Sequence, residues 1–154
     1  MIMTYIFTCI LFVLMCGTSR ASLTATLTTG YHSYPANGVI KYSKFLCNDP
    51  CYNNATGIYT VCPGMAGCYL VSVTMMSGQV MAHTTLRKNG GIYVWLFTGN
   101  SWDMATQTVC MKLEVADQIW IQMQNSASYL FDVYNTFNVV KIPTFPSTAP
   151  GTVA

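Results

Sequence analysis

The sequence predicts an all-β protein, a two-sheet sandwich of the jelly-roll kind, on three observations. Beyond the first twenty or so residues, apolar residues almost nowhere recur at helical spacing. Short β-branched and aromatic runs are instead broken by Gly, Asn, Pro and Asp at fairly regular intervals. Alternation is clear in Tyr69, Val71 and Val73 and again in Ile119, Ile121 and Met123, each set burying one face of a sheet. A chain of 154 residues is one domain's length.

The elements follow in chain order. Residues 2 to 16 (IMTYIFTCILFVLMC) carry no charge and are too few to cross a bilayer, which takes about 20 apolar residues. Ser19 and Ala21 form the small-x-small pattern of a secretory cleavage site, so residues 1–21 are expected to be a signal peptide removed after Ala21. Residues 22–34 are expected to be a lead-in, 35–142 the globular domain, and 143–154, rich in Pro, Thr and Ser, a flexible tail. Expected strands cover 39–46, 57–61, 68–75, 80–87, 91–97, 106–113, 118–124 and 137–142. Asn89-Gly90-Gly91 is a strong hairpin signal, because Asn and Gly tolerate the positive φ of tight turns.

Composition excludes several partners. Only 8% of residues are charged, and no Lys/Arg cluster is present to neutralise phosphates or to hold an anionic membrane surface. Without the leader five cysteines remain: Cys47, Cys51, Cys62, Cys68 and Cys110. In an oxidising compartment the first four are disulfide candidates, in three open connectivities, and Cys110 is left as a free thiol or an inter-subunit bridge. Their spacings come without a nearby His pair, so zinc is the weaker reading and no metal site is expected. His32 and His83 accompany neither a nucleophile elbow nor a metalloprotease helix, and the acidic residues form no pair on one element, so no enzyme is expected.

The residues also resemble a family. Val39-Ile40-Lys41-Tyr42, Asn48, Tyr52-Asn53-Asn54-Ala55-Thr56-Gly57-Ile58-Tyr59-Thr60, Pro63 and Gly67-Cys68-Tyr69-Leu70-Val71 are similar to the opening of complement C1q globular heads. Leu86-Arg87-Lys88-Asn89-Gly90 resembles that family's Leu-x-x-Asn-Gly hairpin. The run from Met111 to Gln122 resembles its Leu-x-Leu-x-x-Gly-Asp-x-Val-Trp-Leu stretch. The resemblance spans about residues 35 to 142, with departures. Tyr59 and Val71 stand at aromatic positions, Ala116 replaces a Gly, Phe137-Asn138-Val139 replaces a Gly-containing motif, and Cys47 and Cys51 flank the Asn48 loop as a local staple. No Gly-X-Y repeat supplies a collagen stalk.

The resemblance implies a C1q/tumour-necrosis-factor-like jelly roll that associates as a homotrimer. It also implies a secreted, stalkless module of innate defence that binds carbohydrate or microbial surfaces through avidity. A structural egg-fluid or matrix component and a secreted receptor ligand are the alternatives. Asn100, Trp102 and Asp103 form a polar loop around an aromatic ring, a combination suited to sugars; Trp102 either meets the ligand or packs as a lid on the rim. Asn125 and Tyr129, with Asp132 beyond, form a second such loop. Trp120, out of phase with Ile119 and Ile121, faces the other side of its strand. Calcium occurs in several family members, and Asp103 and Asp117 are its only candidates here. Asn54-Ala55-Thr56 is an N-glycosylation sequon in an expected loop.

Overall fold

The computed structural model describes residues 21–124 and 128–143. The leader through residue 20, Asn125 and the tail beyond Pro143 lie outside the described residues. The rest forms twelve strands and one 3-10 turn: β1 (Ser22–Thr26), β2 (Tyr31–Tyr34), β3 (Lys44–Cys47), β4 (Tyr52–Asn53), β5 (Ile58–Thr60), β6 (Gly67–Met76), β7 (Ala82–Lys88), β8 (Gly91–Thr98), β9 (Met104–Leu113), β10 (Gln118–Met123), β11 (Ser128–Phe131), η1 (Asp132–Tyr134) and β12 (Thr136–Lys141).

Two five-stranded sheets face each other, a front sheet ordered β3-β1-β12-β6-β9 and a back sheet ordered β4-β5-β10-β7-β8. A two-stranded ribbon of β2 and β11 flanks them. Every named pairing is antiparallel. The core lies between the sheets. Leu23, Ala25, Phe137, Val139, Tyr69, Val71, Val73, Met75, Met111 and Leu113 point inward from the front. Tyr59, Ile119, Ile121, Met123, Leu86 and Leu96 meet them from the back. Each fully buried Val or Leu contributes about 1.5–3 kcal/mol.

The expected strands are present with small shifts at their ends, apart from the first. Residues 39–46 contract to Lys44–Cys47, with Val39 making an isolated bridge to Gln122. Ile40 and Tyr42 are buried all the same. Residues 22–34, read as a lead-in, instead supply β1 and β2. β1 lies between β3 and β12, with Ser22 opposite Val140 and Thr26 opposite Thr136.

Among the described residues one disulfide forms, Cys51–Cys62, with Cα atoms 5.7 Å apart. This corrects the expected Cys47–Cys51 staple. Cys47 ends β3 in the front sheet beside Ser22, whereas Cys51 opens the back-sheet hairpin. There Thr60 N donates to Cys51 O at 2.9 Å, which brings Cys62 alongside. Cys47, Cys68 and Cys110 are exposed free thiols. Closing an 11-residue separation removes unfolded-chain entropy worth about 3 kcal/mol.

At one end of the sandwich the β7–β8 and β9–β10 turns are locked together. Asn89 Nδ2 donates to Asp117 Oδ1 at 2.7 Å, and Asn89 Oδ1 accepts from Gln118 N at 2.8 Å. Asp117 Oδ2 accepts from Glu114 N at 2.9 Å and pairs with Lys88 Nζ at 2.9 Å. These bonds, Asn89 first, hold the Asp117 carboxyl down at about 2. The Ala116 that replaces a family Gly adopts φ 70°, a left-handed conformation that a Cβ disfavours by about 1–2 kcal/mol.

Ala116→Gly is therefore expected to raise stability by about 1 kcal/mol, once glycine's entropic cost is subtracted, as a higher urea midpoint with unchanged slope. Asp117, with its folded pKa depressed, contributes stability that is complete above about pH 4 and is lost as pH falls toward 2. Acid titrations of Asp117→Asn should lack that segment of the unfolding curve. An unaltered acid limb would contradict the clamp.

Candidate functional site

The opposite end of the sandwich carries an aromatic cluster built around the β6–β7 corner. Ser77, fully buried, donates from Oγ to Asn100 O at 2.7 Å and accepts at its carbonyl from Trp102 N at 3.2 Å. Gly78 N donates to Tyr129 O at 2.7 Å, and Ser77 bridges to Leu130. The corner thus fixes the loop after β8 and the strand β11 to one another.

Trp102 is held at φ 66° and is about half exposed (46%). Its ring stands edge-on to Phe131, with centroids 4.8 Å apart at 85°, and lies 5.8 Å from Tyr31. Tyr31 and Phe131 are 4.8 Å apart, and Tyr134 stacks on Phe131 at 6.4 Å. Tyr129 is exposed at the same corner, and a Cβ on Gly78 would sit 3.1 Å from Tyr129 Cβ and 3.0 Å from Tyr31 Cδ1. Glycine here keeps room for both tyrosines.

Buried Asn135 supports the cluster from below. Its Oδ1 accepts from Met76 N at 2.9 Å, and its Nδ2 donates to Phe131 O at 2.7 Å and Asp132 O at 3.2 Å. That ties the 3-10 turn to the end of β6. Asp132, at φ 56°, donates its N–H to Gly30 O at 2.8 Å, which anchors the strand carrying Tyr31. Edge-to-face aromatic pairs of this kind contribute about 0.5–1.5 kcal/mol each beyond burial. The rings are therefore held in place by the protein's own contacts.

Of the residues singled out from sequence, Trp102 and Tyr129 come together here. Asn100 and Asp103 flank the same loop but spend their polar groups on each other: Asn100 N and Nδ2 donate to Asp103 Oδ2 at 2.9 and 3.1 Å. They shape the turn that raises Trp102. Asn125 lies outside the described residues. Tyr31, Phe131 and Tyr134 were missed, since β2, β11 and η1 bring them in from segments distant in sequence from Trp102. Asn54 is exposed in the β4–β5 turn, where Asn53 Oδ1 accepts from Ala55 N at 2.9 Å. Trp120 faces outward, as its phase implied, and donates to Gln122 Oε1 at 3.1 Å.

The acids considered for calcium stand apart. Both Asp117 oxygens are engaged in the turn clamp at the far end, and Asp103 faces Asn100. Among the described residues no three His, Cys, Asp or Glu side chains gather around a common point.

Comparison with known proteins agrees with this architecture. No curated protein sequence matches the chain. Among solved structures, the globular domain of zebrafish complement 1qA superposes with a TM-score of 0.65 at 12% identity, covering 81% of this chain and 99% of that one. Eiger TNF from S. frugiperda gives a TM-score of 0.66 at 11% identity, covering 85% and 98%. Murine APRIL gives 0.61 at 12% identity, covering 80% and 100%. At such identities the likeness establishes the jelly-roll fold. The C1q domain family model matches residues 22–138, beginning at β1 and running into β12. The chain belongs to the C1q domain family, whose fold is a binding module.

Proposed function

We propose that this protein is a secreted, stalkless C1q-type recognition module that binds carbohydrate on microbial or other cell surfaces. The aromatic corner formed by Tyr31, Trp102 and Tyr129 makes the contact. The observation that carries this reading is the preformed, half-exposed aromatic cluster. Sugars present apolar C–H faces that stack on aromatic rings, beside hydroxyls that pair with phenols and backbone groups. Trp102 held in a sparsely populated conformation points the same way, since strain of this kind collects at ligand clamps.

A single shallow patch of this size binds weakly, so useful affinity calls for several copies acting together. A homotrimer of the kind the family resemblance implies would provide them, with Leu70 and Val140 on the outer face of the front sheet, each 40% exposed, against a second copy. Export suits the Cys51–Cys62 disulfide and the apolar leader, and Asn54 would then be a glycosylation site. Sizing chromatography should give three times the chain mass; a monomer at micromolar concentration would remove the avidity argument.

A glycan and bacterial-surface binding screen of the secreted protein tests the site. Trp102→Ala is expected to weaken each positive interaction about tenfold or more, with a far-ultraviolet spectrum unchanged. Binding that survives this change would rule the corner out, and no binding to any surface would favour a structural extracellular role. Gly78→Ala gives an independent check. Its Cβ displaces Tyr31 and Tyr129, so affinity should fall several-fold while stability drops by about 1–3 kcal/mol.

A further inference from the structure

Asp49 is a carboxylate in the core, 3% exposed. Its Oδ1 accepts from Cys51 N at 2.9 Å, and its Oδ2 accepts from Ser22 N at 2.9 Å and Tyr59 Oη at 3.3 Å. The ion pairs among the described residues, Lys88–Asp117 and Lys112–Glu114, do not include it. Three neutral donors thus hold a buried negative charge, an arrangement that a cation would stabilise further.

One of those donors is the backbone nitrogen immediately after Ala21, the end of the Ser19-x-Ala21 pattern at which the leader is expected to be removed. A leader-removing endopeptidase adds one water across the Ala21–Ser22 amide. Ala21 departs with a carboxylate, and the Ser22 nitrogen gains protons to become an α-ammonium. That nitrogen already lies 2.9 Å from Asp49 Oδ2.

We propose that leader removal after Ala21 completes the core, the new amino terminus of Ser22 forming a buried ion pair with Asp49. The inference rests on the reading of the chain as exported, and it goes further by making processing a step in the maturation of the fold. The cost is the packing of Ala21, itself only 1% exposed, and one hydrogen bond: Lys141 N donates to Ala21 O at 3.0 Å at the end of β12, where Lys141 is only half-buried and water can replace the carbonyl. The titratable groups facing the pair are few. Cys47 Sγ lies 3.4 Å from Ser22 O on β3, Tyr59 reaches in from β5, and Tyr69 lies behind Tyr59 on β6. Burial pushes both tyrosine phenols upward, with the Asp49 charge adding to the shift, so they stay neutral donors.

An α-amino group has an ordinary pKa of about 7.7–8.0, and pairing with Asp49 raises it in the folded state. The pair's stabilisation is therefore complete below about pH 8 and is lost as pH rises through the raised value. The test expresses the full chain with its leader in secreting cells, in a Cys47→Ser background, and reads the mature terminus by intact mass. A second version carries one alanine inserted between Ala21 and Ser22, so that the Ser22 nitrogen remains an amide after processing. Urea unfolding of both is followed from about pH 7 to about pH 10.

The expected terminus is Ser22. The folding equilibrium constant of the native-terminus protein should fall about tenfold more across that range than that of the alanine-extended one, and Asp49→Asn should abolish the difference. Export with the terminus at Arg20 or any other residue, or parallel pH profiles of the two versions, overturns the ion pair and leaves the export reading intact. Retention in the cell with the leader attached overturns both.

Discussion

The pairing of the first strand with the last is the constraint on which the sandwich depends. β1 occupies an interior position of the front sheet, bonded along its length to β12 and on its other edge to β3. Leu23 and Ala25 thus enter the core beside Phe137 and Val139. The front sheet closes only when segments more than a hundred residues apart have met, which makes the topology dominated by non-local contacts. A loop of that length carries a large closure entropy, and local strand preference cannot repay it. The repayment comes from the other sheet, because the inward faces of β1 and β12 are dry only when Tyr59, Ile119 and Ile121 cover them.

Polar atoms inside that core are organised around the same closure. Tyr52 Oη accepts from Tyr42 N at 3.0 Å, Tyr59 donates to Asp49, and Tyr69 donates to Met65 O. Burial holds the Tyr52 phenol at about 12 and Tyr42 well above its ordinary range. At any physiological pH these side chains are fixed donors and acceptors, and among the described residues no buried side-chain N or O atom lacks a partner. Asp49 touches β1, the Cys51 corner and β5 at once, and so couples the strand that closes the front sheet to the disulfide hairpin of the back sheet. A hydrophobic residue of the same size would fill the space without fixing the register of β1.

Much of the fold was legible because alternation is a local signal. Tyr69, Val71 and Val73 declare β6 by themselves, and Asn89-Gly90 declares the hairpin. β1, β2 and β11 were not legible: SLTAT, YHSY and SYLF are too short to show a period and are strands because of what they pair with. Cysteine spacing misled for a similar reason. Cys47 is nearer to Cys51 than Cys62 is, yet the chain crosses from one sheet to the other between Cys47 and Cys51, and sequence distance does not register that crossing. At the candidate site, Trp102 was singled out as an aromatic ring in a polar loop, and Tyr129 was singled out beside it although it lies in β11 rather than in a loop. Tyr31, Phe131 and Tyr134 were not, because their proximity exists only once the β2–β11 ribbon has formed.

The two ends of the sandwich solve the problem of turning the chain in opposite ways. At the end holding Asn89 and Ala116, polar side chains satisfy one another: Asn89, Asp117, Lys88 and the backbone of Glu114 and Gln118 leave little hydrogen-bonding capacity for a ligand. At the other end, positive-φ residues Gly30, Trp102 and Asp132 surround a cluster of rings that pack edge to face yet stay half exposed. A turn that existed only to reverse the chain would not place a tryptophan in a left-handed conformation with its ring in solvent, since Asn or Gly does this at lower cost. The rigid sheets, the buried Asn135 and the Ser77 corner over-determine that conformation and offset its strain. Rigid support beneath strained, exposed aromatic groups is found at one end of this sandwich and not at the other, and it is on that asymmetry that the proposed recognition role rests.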